Sequence, residues 1–421
     1  MGLFFACLSL VLSYFSPKEL VPSLAPYHLE LLMLAFGLVV SLASMATRRD
    51  SGLHPPQYLL VLGLWAAIVA SQVVKLKFRW GLEGMNKFGV LVAIYFIVAL
   101  NTFTLPRIKA IAGTLIACGT LIGVQAILAY HTGYLGGKLL LLQPGSADII
   151  FGNRVRGYGF LQDPNDFAQF LLVCVALLGF FWKPGRPLTN ALRLGPIAVI
   201  LLYCAYLTFS RGGLIGLAAI VFFAIYRKGK RVISFGVSCI GTLILYAFRY
   251  TGGRELTVEG GRLMAWGAGI SATVHHPLFG VGFGRFGDIN DLTAHNSFIL
   301  CVTELGFFGY FFWMALLLTT FIGISALTDL AVKTPEDQQF RAVVYAMRAA
   351  LAGFLVTAWF LSRTYTETLY ILLAMASSLI HLRASAIPPA RFHIGRWAPR
   401  TVVLEFASVV LAYVMIRARV L

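Results

Sequence analysis

Four short stretches of this chain carry the residue types that could do chemistry. Ser210-Arg211-Gly212-Gly213 sets a guanidinium inside an otherwise apolar run from Leu194 to Tyr226. As one helix that run would be roughly 48 Å long, too long for a span, whereas as two spans each is only about 20 Å. The second form is a hairpin of short helices that stops below the membrane surface with Arg211 at its tip. A cation at that depth usually faces a polar cavity and marks function; the plainer reading is a snorkelling turn residue. The second stretch holds Arg154 and Arg156, then Gly157-Tyr158 and Asp163-Pro164-Asn165. Asp163 suits a helix N-cap and Pro164 the first helical turn, but helix-start chemistry does not explain two arginines so near the membrane. The third, Gly260-Gly261-Arg262 with Trp266, opens a helix-like segment to about His275, although one basic residue beside a Trp is also common at membrane interfaces. The fourth is Thr293-Ala294-His295-Asn296-Ser297, followed by Thr303-Glu304-Leu305-Gly306. Histidine, with an unperturbed pKa of about 6.5, suits proton transfer near neutral pH, and at the end of a span it is equally an ordinary interfacial residue.

Other patterns carry less. His275 and His276 are adjacent, which is not the spacing of helical metal ligands. Gly282-Phe283-Gly284-Arg285-Phe286-Gly287 fits GxGxxG, but no strand-to-helix βαβ context surrounds it, so it reads as a flexible outer loop. Walker A, HExxH, GxSxG and DxD patterns are absent from the sequence. Asp288 and Asp291 supply fewer oxygens than a hard cation takes, so neither a metal nor any other cofactor is expected. The six cysteines, Cys7, Cys118, Cys174, Cys204, Cys239 and Cys301, lie in apolar stretches without a CxxC pair and read as small core hydrophobes.

The elements that must position these residues are membrane helices. Of 421 residues, 59% are hydrophobic and 12% charged, against about 25% charged in a soluble domain. Charges this sparse cannot cover a water-facing surface, so the chain reads as an all-α, polytopic integral membrane protein, one membrane domain over 1–421. Twelve or thirteen apolar runs are long enough to be spans: near 2–16, 28–46, 58–74, 88–102, 108–129, 164–182, 195–209, 213–226, 232–248, 296–324, 343–361 and 367–382, with a weaker run at 401–416 that contains Glu405. The N-terminal run, without leading basic residues, reads as an uncleaved span.

The net charge of +17, from 34 Lys+Arg against 17 Asp+Glu, fits basic cytoplasmic loops, anionic lipid or a phosphate-bearing ligand. The basic residues are scattered among apolar spans, which argues against nucleic acid as a partner. With the N-terminus inside, Arg48–Arg49, Lys183/Arg186/Arg193, Arg227/Lys228/Lys230/Arg231 and the segment 383–400 all fall in the cytoplasm. Lys75, Lys77, Arg79 and Lys87 break the pattern by falling outside: either the register is wrong there, or those residues meet phosphates on the outer face. The two longer connections, 130–163 and 249–295, emerge outside as well, together with the Arg211 turn.

In this order, Arg156-Gly157 with Pro164-Asn165, Ser210-Arg211-Gly212, Gly261-Arg262 with Trp266, and His295-Asn296 with Glu304-Leu305-Gly306 resemble the O-antigen ligase/polymerase superfamily. That group includes lipopolysaccharide O-antigen ligases, Wzy-type polymerases and bacterial protein O-oligosaccharyltransferases. The motifs lie within the region 150–310; each is short, and the outer loop at 249–295 is shorter than that of typical ligases. The resemblance implies metal-independent transfer of a glycan from undecaprenyl-pyrophosphate to a hydroxyl acceptor (lipid A core, a glycan or a protein), in the bacterial inner membrane with the site on the periplasmic side. It implies Arg211 and Arg262 on the pyrophosphate, Arg156 and Arg154 beside them, and His295 orienting or deprotonating the acceptor. The outward Lys75 and Arg79 would meet a second phosphate, on a lipid A core or on a lipid-linked glycan. A lipid-linked glycan flippase would also carry membrane arginines, but such transporters often show paired repeats, and none is visible here.

Overall fold

The computed structural model describes residues 1–47, 53, 55–133, 139–143, 153–226 and 256–420. Among the described residues thirteen α-helices longer than one turn carry the fold: α1 (Gly2–Phe15), α2 (Leu29–Ala46), α3 (Gln57–Val73), α4 (Phe78–Asn101), α5 (Leu105–Thr132), α6 (Pro164–Leu177), α7 (Pro187–Leu207), α8 (Arg211–Ile225), α9 (Leu256–His275), α10 (Ser297–Thr328), α11 (Pro335–Ala358), α12 (Glu367–Leu382) and α13 (Ile394–Val420). Eight helices among the described residues are long and apolar enough to cross a membrane, and α1, α3, α8 and α12 are shorter apolar helices. The chain is thus an all-α polytopic membrane protein. The expected span at 232–248 lies outside the described residues, as do Arg48–Arg49, the cluster Arg227/Lys228/Lys230/Arg231 and Cys239.

Twelve of the expected apolar runs coincide with helices, and the largest difference is at α4. It begins at Phe78, ten residues before the apolar run, because Phe78 to Lys87 forms a polar first section in which Lys87 pairs with Glu83 at 2.7 Å. Among the described residues the strands are a minimal pair: β1 (Leu141–Leu142) runs antiparallel to β2 (Arg154–Val155), with Leu142 opposite Arg154.

The chain divides into two compact units that interleave along the sequence, a division that no break in composition announces. The first comprises Met1–Gly52, Ile97–Arg254 and Leu327–Thr357; the second comprises Leu53–Phe96, Glu255–Ala326 and Ala358–Leu421. In the first, α1 packs on α2 and α5, and α6 packs on α5, α7 and α8. Several polar groups at membrane depth find partners inside the protein, since lipid offers none. Gln169 donates to Thr357 Oγ1 at 2.6 Å and to the Phe354 carbonyl at 3.1 Å. Arg348 donates to the Phe223 and Tyr226 carbonyls, at 3.2 and 2.8 Å, and so caps the C-terminal end of α8. Asn101 on α4 donates to Ser41 on α2 at 2.6 Å.

In the second unit α9 packs on α13, and α10 is broken at Gly306, whose φ of 63° and ψ of −174° leave the helical region. The break is an exchange of hydrogen bonds. Phe307 and Phe308 donate to the carbonyls of Pro277 and Leu278, at 2.8 and 3.1 Å, instead of back along the helix. The carbonyls of Thr303 and Glu304 accept from Val281 and Gly282, at 2.8 and 2.9 Å. The loop after α9 is therefore stitched into α10 by four backbone bonds that replace those lost at the break. An ideal Cβ on Gly306 would sit 2.3 Å from the Leu278 carbonyl oxygen, so only glycine fits this crossing.

Candidate active site

In the first unit the arginine-bearing turns are built by capping. Asp163 accepts from the Asn165 amide at 2.7 Å and caps α6, as its position before Pro164 predicts. Thr208, Phe209 and Ser210 form the turn between α7 and α8; Phe209 is left-handed, with φ at 53°, and Ser210 Oγ accepts from the Gly213 amide at 3.1 Å. The turn expected around Arg211 is present, and Arg211 opens the short helix α8 half-buried, but α7 before it has 21 residues and is long enough to cross a membrane rather than short. Gly213 and Gly216 lie on the packed face of that helix, where a Cβ at Gly216 would meet the Thr357 methyl at 2.3 Å.

Arg154 and Arg156 separate. Arg154 is buried, its Nε donating to the Thr208 carbonyl at 2.8 Å and its terminal nitrogen to Asn165 Oδ1 at 3.3 Å. It ties the start of α6 to the turn that carries Arg211. Arg156 is more exposed and its Nε reaches the Leu139 carbonyl at 3.1 Å. The carboxyl group of Glu19, in the same unit, carries no motif that would single it out in the sequence. Glu19 accepts from the Gly159 amide and from Gln162, both at 3.0 Å. Tyr158 donates to Gln125 at 3.2 Å, and burial, followed by the charge of Glu19, pushes its phenol pKa up.

In the second unit the Arg262 and His295 motifs are joined directly. Trp266, one turn after Arg262 on α9, donates its indole N–H to the Ala294 carbonyl at 2.8 Å. The next residue, His295, is left-handed with φ at 44°, a conformation that costs energy for any non-glycine side chain and persists where surrounding contacts enforce it. Asn296 enforces it from the other side, its Oδ1 accepting from the amides of Phe298 and Ile299 at 2.9 and 3.1 Å as the cap of α10. The turn between α11 and α12 completes the frame: Ser297 Oγ donates to the Leu361 carbonyl at 2.6 Å, and the Arg363 amide donates back to Ser297 Oγ at 2.7 Å. Thr293 and Ser362 also share a hydrogen bond.

The GxGxxG loop is tightly held. The backbone amides of Gly284, Arg285 and Phe286 converge on the buried carboxylate of Glu304, with Phe286 N at 3.3 Å from Oε1. Positive φ at Gly282 and Gly284 lets the backbone curl as it would around a phosphate, but the acceptor it encloses is the protein's own carboxyl group. Flexibility was the wrong expectation because Glu304, although part of a neighbouring motif, gave no sign in sequence of reaching back across the loop.

Lys75 lies on this loop as well. Its Nζ donates to the Gly280 carbonyl at 2.5 Å, and burial, then the charge of Lys77, holds its pKa below the usual lysine value. Gln72 donates to the Phe283 carbonyl at 2.9 Å. Arg79 is exposed nearby at the start of α4. Between these elements Trp80 has Arg285 over its ring at 3.3 Å and Lys77 at 4.0 Å. The basic patch therefore includes Arg285, and Lys75 spends its ammonium on the loop.

Arg363 also escaped the sequence reading. It is half-buried on the turn that bonds to Ser297, two residues after His295. The signal was present: Ser362-Arg363 at a tight turn between two helices repeats the placement of Ser210-Arg211. Among the described residues no group of three His, Cys, Asp or Glu gathers where a metal ion could be held.

Residues 196–314 match the family model described as O-Antigen ligase. That stretch takes in Arg211, Arg262, Trp266, His295 and Glu304, and excludes Lys75, Arg79, Arg154, Arg156 and Arg363. No curated protein matches the chain. The helical, multi-pass fold and the matched stretch both support a likeness to the O-antigen ligase/polymerase superfamily, which residues 196–314 carry.

Proposed function

We propose that this protein transfers a glycan from an undecaprenyl-pyrophosphate-linked donor to a hydroxyl acceptor, at the periplasmic face of the bacterial inner membrane and without a metal ion, as an O-antigen ligase of lipopolysaccharide or related surface polysaccharide assembly. The observation that carries the reading is the bond from Trp266 to the Ala294 carbonyl, which couples the Arg262 helix to a strained His295 inside the family-matched stretch.

The chemistry is a displacement at the anomeric carbon. His295 accepts the proton of the acceptor hydroxyl as its oxygen bonds to that carbon, and the bond from carbon to pyrophosphate oxygen breaks. Undecaprenyl pyrophosphate leaves with the electron pair. Charge developing on the leaving group is where catalysis gains most, and guanidinium forks suit phosphate oxygens. Arg211 and Arg262 take that role, with Arg156 as a third cation. Arg154 and Lys75, both committed to backbone carbonyls, act as positioning residues, and Arg79 joins Lys77 and Arg285 as the patch for an acceptor phosphate.

A Wzy-type polymerase is the second reading, supported by that same patch, because a polymerase must seat a second lipid-linked glycan. Both readings are tested with full-length protein in nanodiscs and a lipid-linked glycan donor. Arg211→Ala and His295→Ala should leave the donor unconsumed; normal transfer by either variant overturns the assignment. Neutralising Lys77, Arg79 and Arg285 together separates the two in cells: full-length chains left on the carrier support a ligase, and short chains on the carrier support a polymerase.

A further inference from the structure

The end of α10 remote from His295 carries a second basic feature. Ser297 and Ser325 are separated by a helix length of about 40 Å, so this feature belongs to the opposite membrane surface. There a cavity of about 430 Å³ is lined by Phe321, Ile322, Ser325, Arg391, Arg396 and Arg400. Three of the six lining residues are arginines and none is acidic.

The cavity is built by short-range structure. Arg391 lies in the 3-10 turn Pro389–Phe392, while Arg396 and Arg400 are four residues apart on the first turns of α13 and so share a helix face. The Trp397 indole donates to the Phe392 carbonyl at 3.1 Å, fixing the turn to the helix. Gly323 admits the turn to α10: a Cβ there would lie 3.2 Å from the Phe392 ring and 2.3 Å from Ile380. Three guanidinium groups around one opening repel one another, and the N-terminal end of α13 adds partial positive charge. An anion with several acceptor oxygens relieves both.

We infer that this cavity binds the phosphate of an anionic phospholipid headgroup. A phosphate ester and free phosphate share the required chemistry, but the surroundings favour lipid. Directly after Arg400, α13 presents Val402, Val403, Phe406, Val410, Leu411 and Val414 as exposed apolar side chains, an apolar surface that can lie against acyl chains below a bound headgroup. Scattered positive charge near a membrane needs no defined site; three arginines around one cavity, on a turn tied to α13 through Trp397, do define one.

The test is thermal unfolding of the detergent-solubilised full chain with short-chain phosphatidylglycerol, phosphatidylcholine or inorganic phosphate. Phosphatidylglycerol should raise the Tm by several degrees and phosphatidylcholine should not, with the rise lost in the Arg396→Gln/Arg400→Gln double variant. Ser325→Glu, which leaves all three arginines in place and sets a carboxylate among them, should not lower the lipid-free Tm and should also lose the response. An equal rise with phosphatidylcholine, or an undiminished phosphatidylglycerol response in the variants, overturns the inference. A rise with inorganic phosphate and none with phosphatidylglycerol also overturns it, by making this a site for a soluble anion.

Discussion

The indole N–H of Trp266 donates to the carbonyl of Ala294 at 2.8 Å, one residue before the left-handed His295. This bond holds the histidine's backbone to the helix that carries Arg262. Trp266→Phe keeps most of the buried ring and removes the donor. The expected result is at least a tenfold loss of transfer for about 1 kcal/mol of stability, read from donor consumption and Tm on the same preparation. A loss of stability with unchanged transfer would confine the bond to packing.

Arg211→Ala and Arg262→Ala should each reduce transfer about 10²- to 10³-fold, the scale of removing one preorganised donor from a developing oxyanion. Arg211→Lys should recover little, since an ammonium cannot reproduce the planar fork. Initial rates in purified protein, with insertion verified by protease protection, check both.

Transfer should persist in excess EDTA. The loop amides that in a nucleotide site would cradle phosphate here surround Glu304, and the proposed mechanism assigns the leaving group to guanidinium. Loss of activity on chelation, restored by magnesium or manganese, would move that role to a metal.

Orientation is open to cysteine labelling. Single cysteines at Arg156, Gly212 and His295 should react with an impermeant maleimide from outside, and one at Ser385 should not. Cys118, Cys174, Cys204 and Cys301 are buried, which keeps the background low. Labelling of Ser385→Cys in intact cells with none at His295→Cys would reverse the topology and the proposed function with it.

Gly306→Ala should destabilise the protein by at least about 3 kcal/mol, combining left-handed strain with overpacking against Leu278. Gly267→Ala on α9, where an added Cβ meets nothing within 4 Å, should cost far less. Folded yield and Tm distinguish them.

The spans were legible because lipid leaves so simple a code: long apolar runs, short basic turns, and Asp163-Pro164 at the start of a helix. The Arg211 hairpin was legible from length alone, since the run from Leu194 to Tyr226 is too long to cross once. What sequence could not convey was which cations the fold uses internally. Arg154 and Arg156 differ by two positions and have the same chemistry, yet one is buried against the Thr208 carbonyl and the other is not. Lys75 likewise gives no sign that its partner is a backbone oxygen 205 residues away. Glu304 and the glycine loop were both visible as patterns, but their pairing depends on the break at Gly306, and a single glycine inside an apolar run is ordinary.

The stitched break in α10 also sets how this part of the molecule opens. Phe307 and Phe308 bond to the loop after α9, and Val281 and Gly282 bond to α10, so neither partner can open without releasing the other. Loop amides usually exchange with deuterium long before helix amides. Here Val281 and Gly282 should exchange slowly and in concert with Phe307 and Phe308, as one cooperative unit, while neighbouring Asn290 and Asp291 exchange fast.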